Sequence, residues 1–201
     1  MTSSKGFFQR IKALSTPQTL LFAVALTQRM QPNFKWHCQH NELDHLQAFN
    51  DALLLLWQRA YDRKLAINYE AQQLKLERIM PEITDASHPS VYGAFDAVMA
   101  IATIFNALES EMNQDLHNVS KLSSSTVHRY LILHEDTGLT DEALNDWVFA
   151  HPLMQDEQDM QNMLLEWVEQ PEALDVDQVK GLRQELLANL VSNLGIDANA
   201  L

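Results

Sequence analysis

Three stretches of this chain, Leu20 to Leu26, Ala52 to Trp57 and Val98 to Phe105, are apolar on every side of a helix instead of along one stripe. A helix of that kind must be surrounded by protein, whereas an amphipathic helix needs only one covered face. The three segments therefore predict a centre with further helices packed around it. Strand signals are nearly absent, with no sustained alternation and no Asn-Gly or Asp-Gly hairpin turn. The expected fold is all-α: a multi-helix bundle of about eight to ten helices with the three apolar segments central. At 201 residues the chain is large enough to bury roughly 70% of its unfolded surface. No internal repeat or low-complexity linker divides it, so residues 1–201 read as a single domain.

Punctuation along the chain predicts where the helices lie. Thr16-Pro17 reads as an N-cap followed by proline at the first helical position, opening a helix to about residue 30. Pro32 is expected to kink or restart it, giving a short helix to His40. Further helices are expected over about 44–64, from the Asn68 cap to before Pro81, over 90–108, and from an Asn113 cap to Gly138. Residues 82–88, with Asp85, Ser87 and then Pro89, read as a loop. Thr140 starts a short helix, Pro152 opens one that Pro171 ends, and the last is expected over about 175–193.

Charge is distributed unevenly. Residues 1–80 carry ten Lys/Arg against six Asp/Glu, and residues 81–201 carry four against twenty-one, within a total of −13. Between Arg129 and Lys180 there is no Lys or Arg, and thirteen acids fall in that gap. Such a balance argues against direct nucleic-acid binding, which needs a cationic footprint on the phosphates. A single cysteine, Cys38, allows no internal disulfide and suits a reducing compartment. The longest uncharged core-like run, Ala97 to Leu108, falls short of the ~20 apolar residues of a membrane span. Residues 1–41 hold no acid and five Lys/Arg, a transit-peptide-like bias, but Phe7, Phe8, Ile11 and Leu14 read equally as a helix docked on the fold. The expected location is cytoplasmic, with no membrane contact.

Asp96 is the residue whose chemistry most needs an explanation. It follows Tyr92-Gly93-Ala94-Phe95 near the start of an apolar helix and shares a face with Tyr92 and Met99. A carboxylate on an apolar face has to be paired, protonated or held for function. Arg29 lies on the same side of its helix as Phe22, Leu26 and Asn33, and is the expected partner: an Arg29–Asp96 pair inside or at the rim of the bundle. The run from Ser120 to Thr126 places five hydroxyls in one helix, where Ser and Thr compete for backbone bonds. Two readings fit: close helix packing through small side chains, or a hydroxyl-lined pocket with Lys121 or Arg129 nearby. The candidate polar site therefore comprises Arg29, Asn33, Asp96, Ser120, Lys121 and Ser124.

Other chemistry finds little support. The segment Trp36 to His45 contains His37, Cys38, His40 and one Glu-x-x-His at Glu42 and His45, but a bundle di-metal site needs two such motifs and two further glutamates. No His-Glu-x-x-His motif, calcium loop, phosphate loop or nucleophile elbow occurs, so no catalytic residue, cofactor or metal is assigned.

Several blocks share their order and spacing with a known family: Gln18-x-x-x-Phe22, Arg29-Met30-x-Pro32-Asn33-Phe34, Trp57 after a leucine run, and Ile67-Asn68-Tyr69. These are followed by Tyr92-Gly93-x-Phe95-Asp96-Ala97, Val119-Ser120-Lys121 and Lys180-Gly181-Leu182-Arg183. Over about residues 5–196 the chain resembles the YjaG-like family of bacterial proteins, whose domain has no assigned function. The resemblance implies an all-helical, single-domain bacterial cytoplasmic protein, and supplies no activity, cofactor or catalytic residue. It weakens the transit-peptide reading, because the N-terminal helix falls inside the family region.

Together these features predict a non-enzymatic helical protein acting through protein–protein contacts, as a homodimer or with a basic partner. Its acidic C-terminal face would include Asp156, Glu157 and Asp159. The alternative is a small-molecule binding protein or enzyme with a polar pocket around Arg29, Asp96 and Ser120–Thr126. A third reading is an acidic mimic of nucleic acid that occupies basic DNA-binding proteins.

Overall fold

A capping box starts the longest helix of the protein. In the computed structural model, which describes residues 6–83, 88–135 and 137–201, Ser15 and Gln18 each satisfy the other's backbone N–H. The cap is thus one residue earlier than the Thr16 expected from the sequence, with Pro17 in the first turn. This helix, α2 (Thr16–His40), follows a short α1 (Phe7–Ala13). It continues through Pro32 without the restart that the sequence allowed. The reason is enclosure: every residue from Thr19 to Phe34 is buried. Packing on all sides outweighs the lost backbone bond of an interior proline, which costs about 3 kcal/mol.

Against α2 lies α5 (Ser90–Glu109), and this pair forms the axis of the molecule. The two backbones approach at Gly93, where a Cβ would stand 3.2 Å from Asn33 Cβ and 2.9 Å from Leu194 Cδ1. By length and composition α5 could cross a membrane, which corrects the expectation that no stretch approaches that limit. Its most apolar window has a mean hydropathy of 1.6, yet 67% of that window is buried inside the protein. It is the core helix of the bundle.

Around this axis pack α3 (Leu46–Tyr61) and α4 (Tyr69–Ile79), the latter capped by Asn68 Oδ1 accepting from Ala71 N at 3.0 Å. Only one of the three all-round apolar segments, Leu20 to Leu26, is enclosed at every position; Met99 and Thr103 of α5 are half-buried. In α3, Leu54 and Leu55 remain half-buried, because α3 has α2 on one side and no helix covering the other completely. Residues 84–87, the middle of the expected 82–88 loop with Asp85 and Ser87, lie outside the described residues.

The second half begins with a 3₁₀ turn, Asn113–His117, leading into α6 (Asn118–His134). The helix expected from 113 to 138 is therefore shorter at both ends, and Gly138 adopts its positive φ of 60° in the link beyond it. Then come α7 (Asp141–Ala150), α8 (Pro152–Val168) and α9 (Val176–Ala188). Pro152 begins α8, with His151 Nδ1 accepting from Leu153 N. Arg10 on α1 binds the Glu169 carboxylate at the end of α8 through two nitrogens, at 3.0 and 2.6 Å.

The last helix stops at Ala188, five residues before the expected 193. The chain instead turns back on itself. Ser192 N donates to Ile196 O, Ala198 N donates to Leu190 O, and Ser192 Oγ accepts from Leu194 N and Ile196 N. Gly195, at φ 75°, makes the turn possible. This hook drives Asn193 and Leu194 into the bundle, where Leu194 joins Val127, Leu131, Val148 and Met154 in a second, smaller apolar cluster. Nine α-helices are present among the described residues, with no sheet.

Candidate functional site

The hydroxyls of α6 face the protein at a helical interval. Ser120, Ser123 and Thr126 are buried three residues apart, while Lys121 and Ser125 point outward. Each buried hydroxyl donates to a different side chain. Ser120 Oγ donates to Gln161 Oε1 at 2.6 Å, Ser123 Oγ to Glu157 Oε1 at 2.5 Å, and Thr126 Oγ1 to Asp96 Oδ2 at 2.8 Å. The row of small side chains lets α6 approach α5 and α8, and the hydroxyls satisfy the polar groups on those helices.

Glu157 is the centre of the seam. Its side chain is 0% exposed, and both oxygens are engaged. Oε1 accepts from Ser123 Oγ and from Gln161 Nε2 at 2.6 Å, and Oε2 accepts from Arg29 Nη1 across from α2. Two sequence expectations are corrected here. Arg29 pairs with Glu157, not with Asp96, and Glu157 belongs to the interior, not to the acidic face. The physical reason is the helical period. Met154, Glu157, Gln161, Leu164 and Val168 share the buried side of α8, so the carboxylate between Asp156 and Asp159 points the opposite way.

Asp96 finds its own cation. Arg129 Nη1 lies 3.3 Å from both carboxylate oxygens, and the guanidinium stacks 5.2 Å above the Tyr92 ring. The Asp96 side chain is 3% exposed, Arg129 39%. Burial pushes the Asp96 carboxyl above its ordinary range, partly offset by the Thr126 hydroxyl and the Arg129 charge.

The hook of the C-terminal tail closes the seam. Asn193 Nδ2 donates to Ser123 O and Oγ, while its Oδ1 accepts from Asn33 Nδ2 at 2.8 Å. Arg29 Nε and Asn33 Oδ1, one turn apart on α2, are buried and find no partner among the described residues. The six candidate residues thus divide. Arg29, Asn33 and Asp96 are enclosed, and Ser120, Lys121 and Ser124 line a pocket of about 440 Å³ at the edge of the seam, between Phe7, Phe149 and Met154. Sequence reasoning missed Gln161 and Asn193, and took in Ser123 only as part of the Ser120–Thr126 run. The three-residue spacing of the hydroxyls and the stripe on α8 carried a signal for Ser123 and Gln161; nothing near Asn193 marks it.

Histidines gather at the far end of α2. His40 stacks on His88 with 3.5 Å between ring centres, and His37 Nδ1 and His88 Nδ1 both meet Ser90 Oγ, at 3.2 and 2.7 Å. Burial holds the His37 and His88 imidazoles below the usual range, helped by the other histidines. The Cys38 thiol is pushed up to about 11 by burial, so it stays protonated and unreactive. Among the described residues no group of three or more His, Cys, Asp or Glu side chains could hold a metal ion.

Among the described side chains, the acidic tract is exposed apart from Glu157. Asp156 and Asp159 face solvent on α8, as do Glu142 and Asp146 on α7, and Glu172, Asp175 and Asp177 beyond α8.

Comparison with known proteins agrees with this architecture. The family described as "Protein of unknown function (DUF416)" matches residues 6–197, and the chain belongs to that family. The sequence blocks from Gln18 to Arg183 all fall within the matched span. A Haemophilus influenzae protein described as "Uncharacterized protein" is 30% identical over 197 residues, 94% of this chain and 95% of that protein. The Escherichia coli "Uncharacterized protein YjaG" is 28% identical over 188 residues, 93% and 94% of the two chains. The crystal structure of a DUF416 family protein from Shewanella baltica superimposes with a TM-score of 0.90 at 44% identity, over 96% of this chain and 99% of that one.

Proposed function

We propose that this DUF416-family chain is a non-enzymatic, cytoplasmic helical protein that works through contacts with other proteins, presenting its exposed acidic helices to a basic surface. The observation that carries the reading is the one-sided charge of the C-terminal half. From residue 130 to 179 there is no Lys or Arg, and the acids on α7 and α8 other than Glu157 are exposed wherever their side chains are described. Such a field steers and selects a partner of opposite sign. The basic surface belongs to another protein or to residues 1–80 of a second copy. Direct nucleic-acid and membrane binding are not part of this reading.

The enclosed seam supports the same conclusion. Arg29 and Glu157 bind each other, and Asp96 is held by Thr126 and Arg129, so these groups are engaged within the protein. A second reading, small-molecule binding, is favoured by one observation: the pocket where Ser120, Lys121 and Ser124 meet Phe7, Phe149 and Met154.

The test is affinity capture with the unmodified chain and with an Asp146→Asn/Asp156→Asn/Asp159→Asn variant, at about 0.05 M and about 0.5 M salt, where screening lengths differ roughly threefold. The reading expects specific partners, or self-association by sedimentation, that weaken both with salt and in the variant. Capture and oligomeric state that ignore both changes would contradict it.

A further inference from the structure

A cleft between α2, α3 and α9 runs against the charge of the protein. It encloses about 430 Å³, a size typical of small-molecule sites, and two cations, Lys35 and Arg183, line it with no acid beside them. In a chain of net charge −13 that is an unusual lining. Neither cation pairs with a carboxylate among the described residues. Lys35 Nζ donates to Ala198 O at 2.6 Å, which holds the C-terminal tail across one side of the cleft. Arg183 Nε is buried and has no acceptor.

A second unmatched group lines the same cleft. Gln31 is only 8% exposed, and its Oε1 has no donor. Its Nε2 donates to Asn50 Oδ1 at 3.4 Å, which leaves Oε1 as the acceptor without a partner. Buried polar atoms are nearly always matched, and each exception asks for a reason. Here the residues that carry an unmatched acceptor and an unmatched cationic donor line one leucine-walled space, with Leu53, Leu187 and Leu190 around it. Such a lining fits a molecule with three parts: an anion for Arg183, a hydrogen-bond donor for Gln31, and a branched apolar body. With no carboxylate in the lining, an ammonium would be an unbalanced third positive charge. A hydroxyl is a donor that adds no charge.

We propose that this cleft binds a small 2-hydroxycarboxylate with a branched aliphatic side chain, its carboxylate on Arg183 and Lys35 and its hydroxyl donating to Gln31 Oε1. The site is separate from the acidic helices and from the α6–α8 seam, so it stands or falls independently of the protein-contact reading.

The test uses the full chain and four probes of one skeleton: 2-hydroxy-4-methylpentanoate, its carboxamide, 4-methylpentanoate and leucine. Calorimetry is expected to give the hydroxy acid at least about tenfold tighter binding than each of the other three, because an unmet buried polar group discriminates strongly. Backbone amide shifts should cluster on α2, α3 and α9 around Gln31, Asn50 and Arg183. Arg183→Gln should remove the preference for carboxylate over carboxamide. Gln31→Met, with thermal melting to show that it is folded, should remove the preference for the hydroxyl. Absence of binding by the hydroxy acid, equal binding of the carboxamide or of leucine, or shifts located elsewhere would overturn the proposal. The four-probe comparison on the unmodified chain decides it even if a variant fails to fold.

Discussion

The interface between α2 and α5 and the seam where α6 meets α8 lie in one bundle but are built on opposite principles. The first is apolar: Leu20 to Leu26 of α2 and Val98, Ile101, Ile104 and Phe105 of α5 are nearly all fully buried. Any residue of similar size and polarity would serve there. The second is polar and buried, with Arg29, Glu157, Ser123, Gln161 and Asn193 joined by hydrogen bonds. In such a seam each partner is needed because of the others. An apolar interface tolerates loss of one group gradually, whereas a buried charge left alone is expensive. The difference explains why residues with the look of an active site can be structural.

The strongest way to separate the two regions is to leave Glu157 without its cation. Arg29→Met should cost about 3–5 kcal/mol in urea unfolding, the range for breaking one side of a buried ion pair. Equal stability of this variant and the unmodified chain would remove the distinction. At the apolar interface, Gly93→Ala forces a Cβ towards Asn33 and Leu194. The expected loss is about 1–3 kcal/mol, as for overpacking, measured by the same unfolding curve.

Asp96 sharpens the contrast within the polar region. Its carboxyl is raised by burial, so the folded chain binds that proton more tightly than the unfolded one. The contribution to stability is therefore fully present below the ordinary aspartate value of 3.8 and is lost as pH rises through the higher folded value. Thermal melting across acidic pH should show the unmodified chain losing stability relative to Asp96→Asn as pH rises. A parallel pair of pH curves would mean that Asp96 titrates alike in both states. The smallest effect belongs to the exposed face: Asp156→Asn with Asp159→Asn should change stability by less than about 0.5 kcal/mol, as measured by urea unfolding.

The same contrast determines what could be read from the amino-acid sequence. Apolar residues at helical spacing carry their own environment, so the helices, the enclosure of Leu20 to Leu26 and the inward position of Asp96 were legible. Enclosure was over-read at Leu54 and Leu55, and at Met99 and Thr103, because periodicity says that a side chain can be buried and not how much covers it. Polar partners are chosen by geometry between distant helices. Arg29 had two carboxylates to meet, and only the packing of α8 against α2 and α6 decides for Glu157 over Asp96. Pro32 was misleading for a similar reason, since its local preference to end a helix is overridden by neighbours that surround it. The hook at Ser192 to Ile196 continued an apolar helical pattern through Leu190 and Val191, which hid the turn made by Gly195.

A double-mutant cycle on Arg29→Met and Glu157→Met, followed by urea unfolding, addresses the closed seam most directly. If the pair is a mutually dependent structural unit, the double variant will be more stable than the sum of the single losses implies, by more than about 2 kcal/mol. Single losses that add to within about 0.5 kcal/mol would contradict the account, because independent side chains behave in that way.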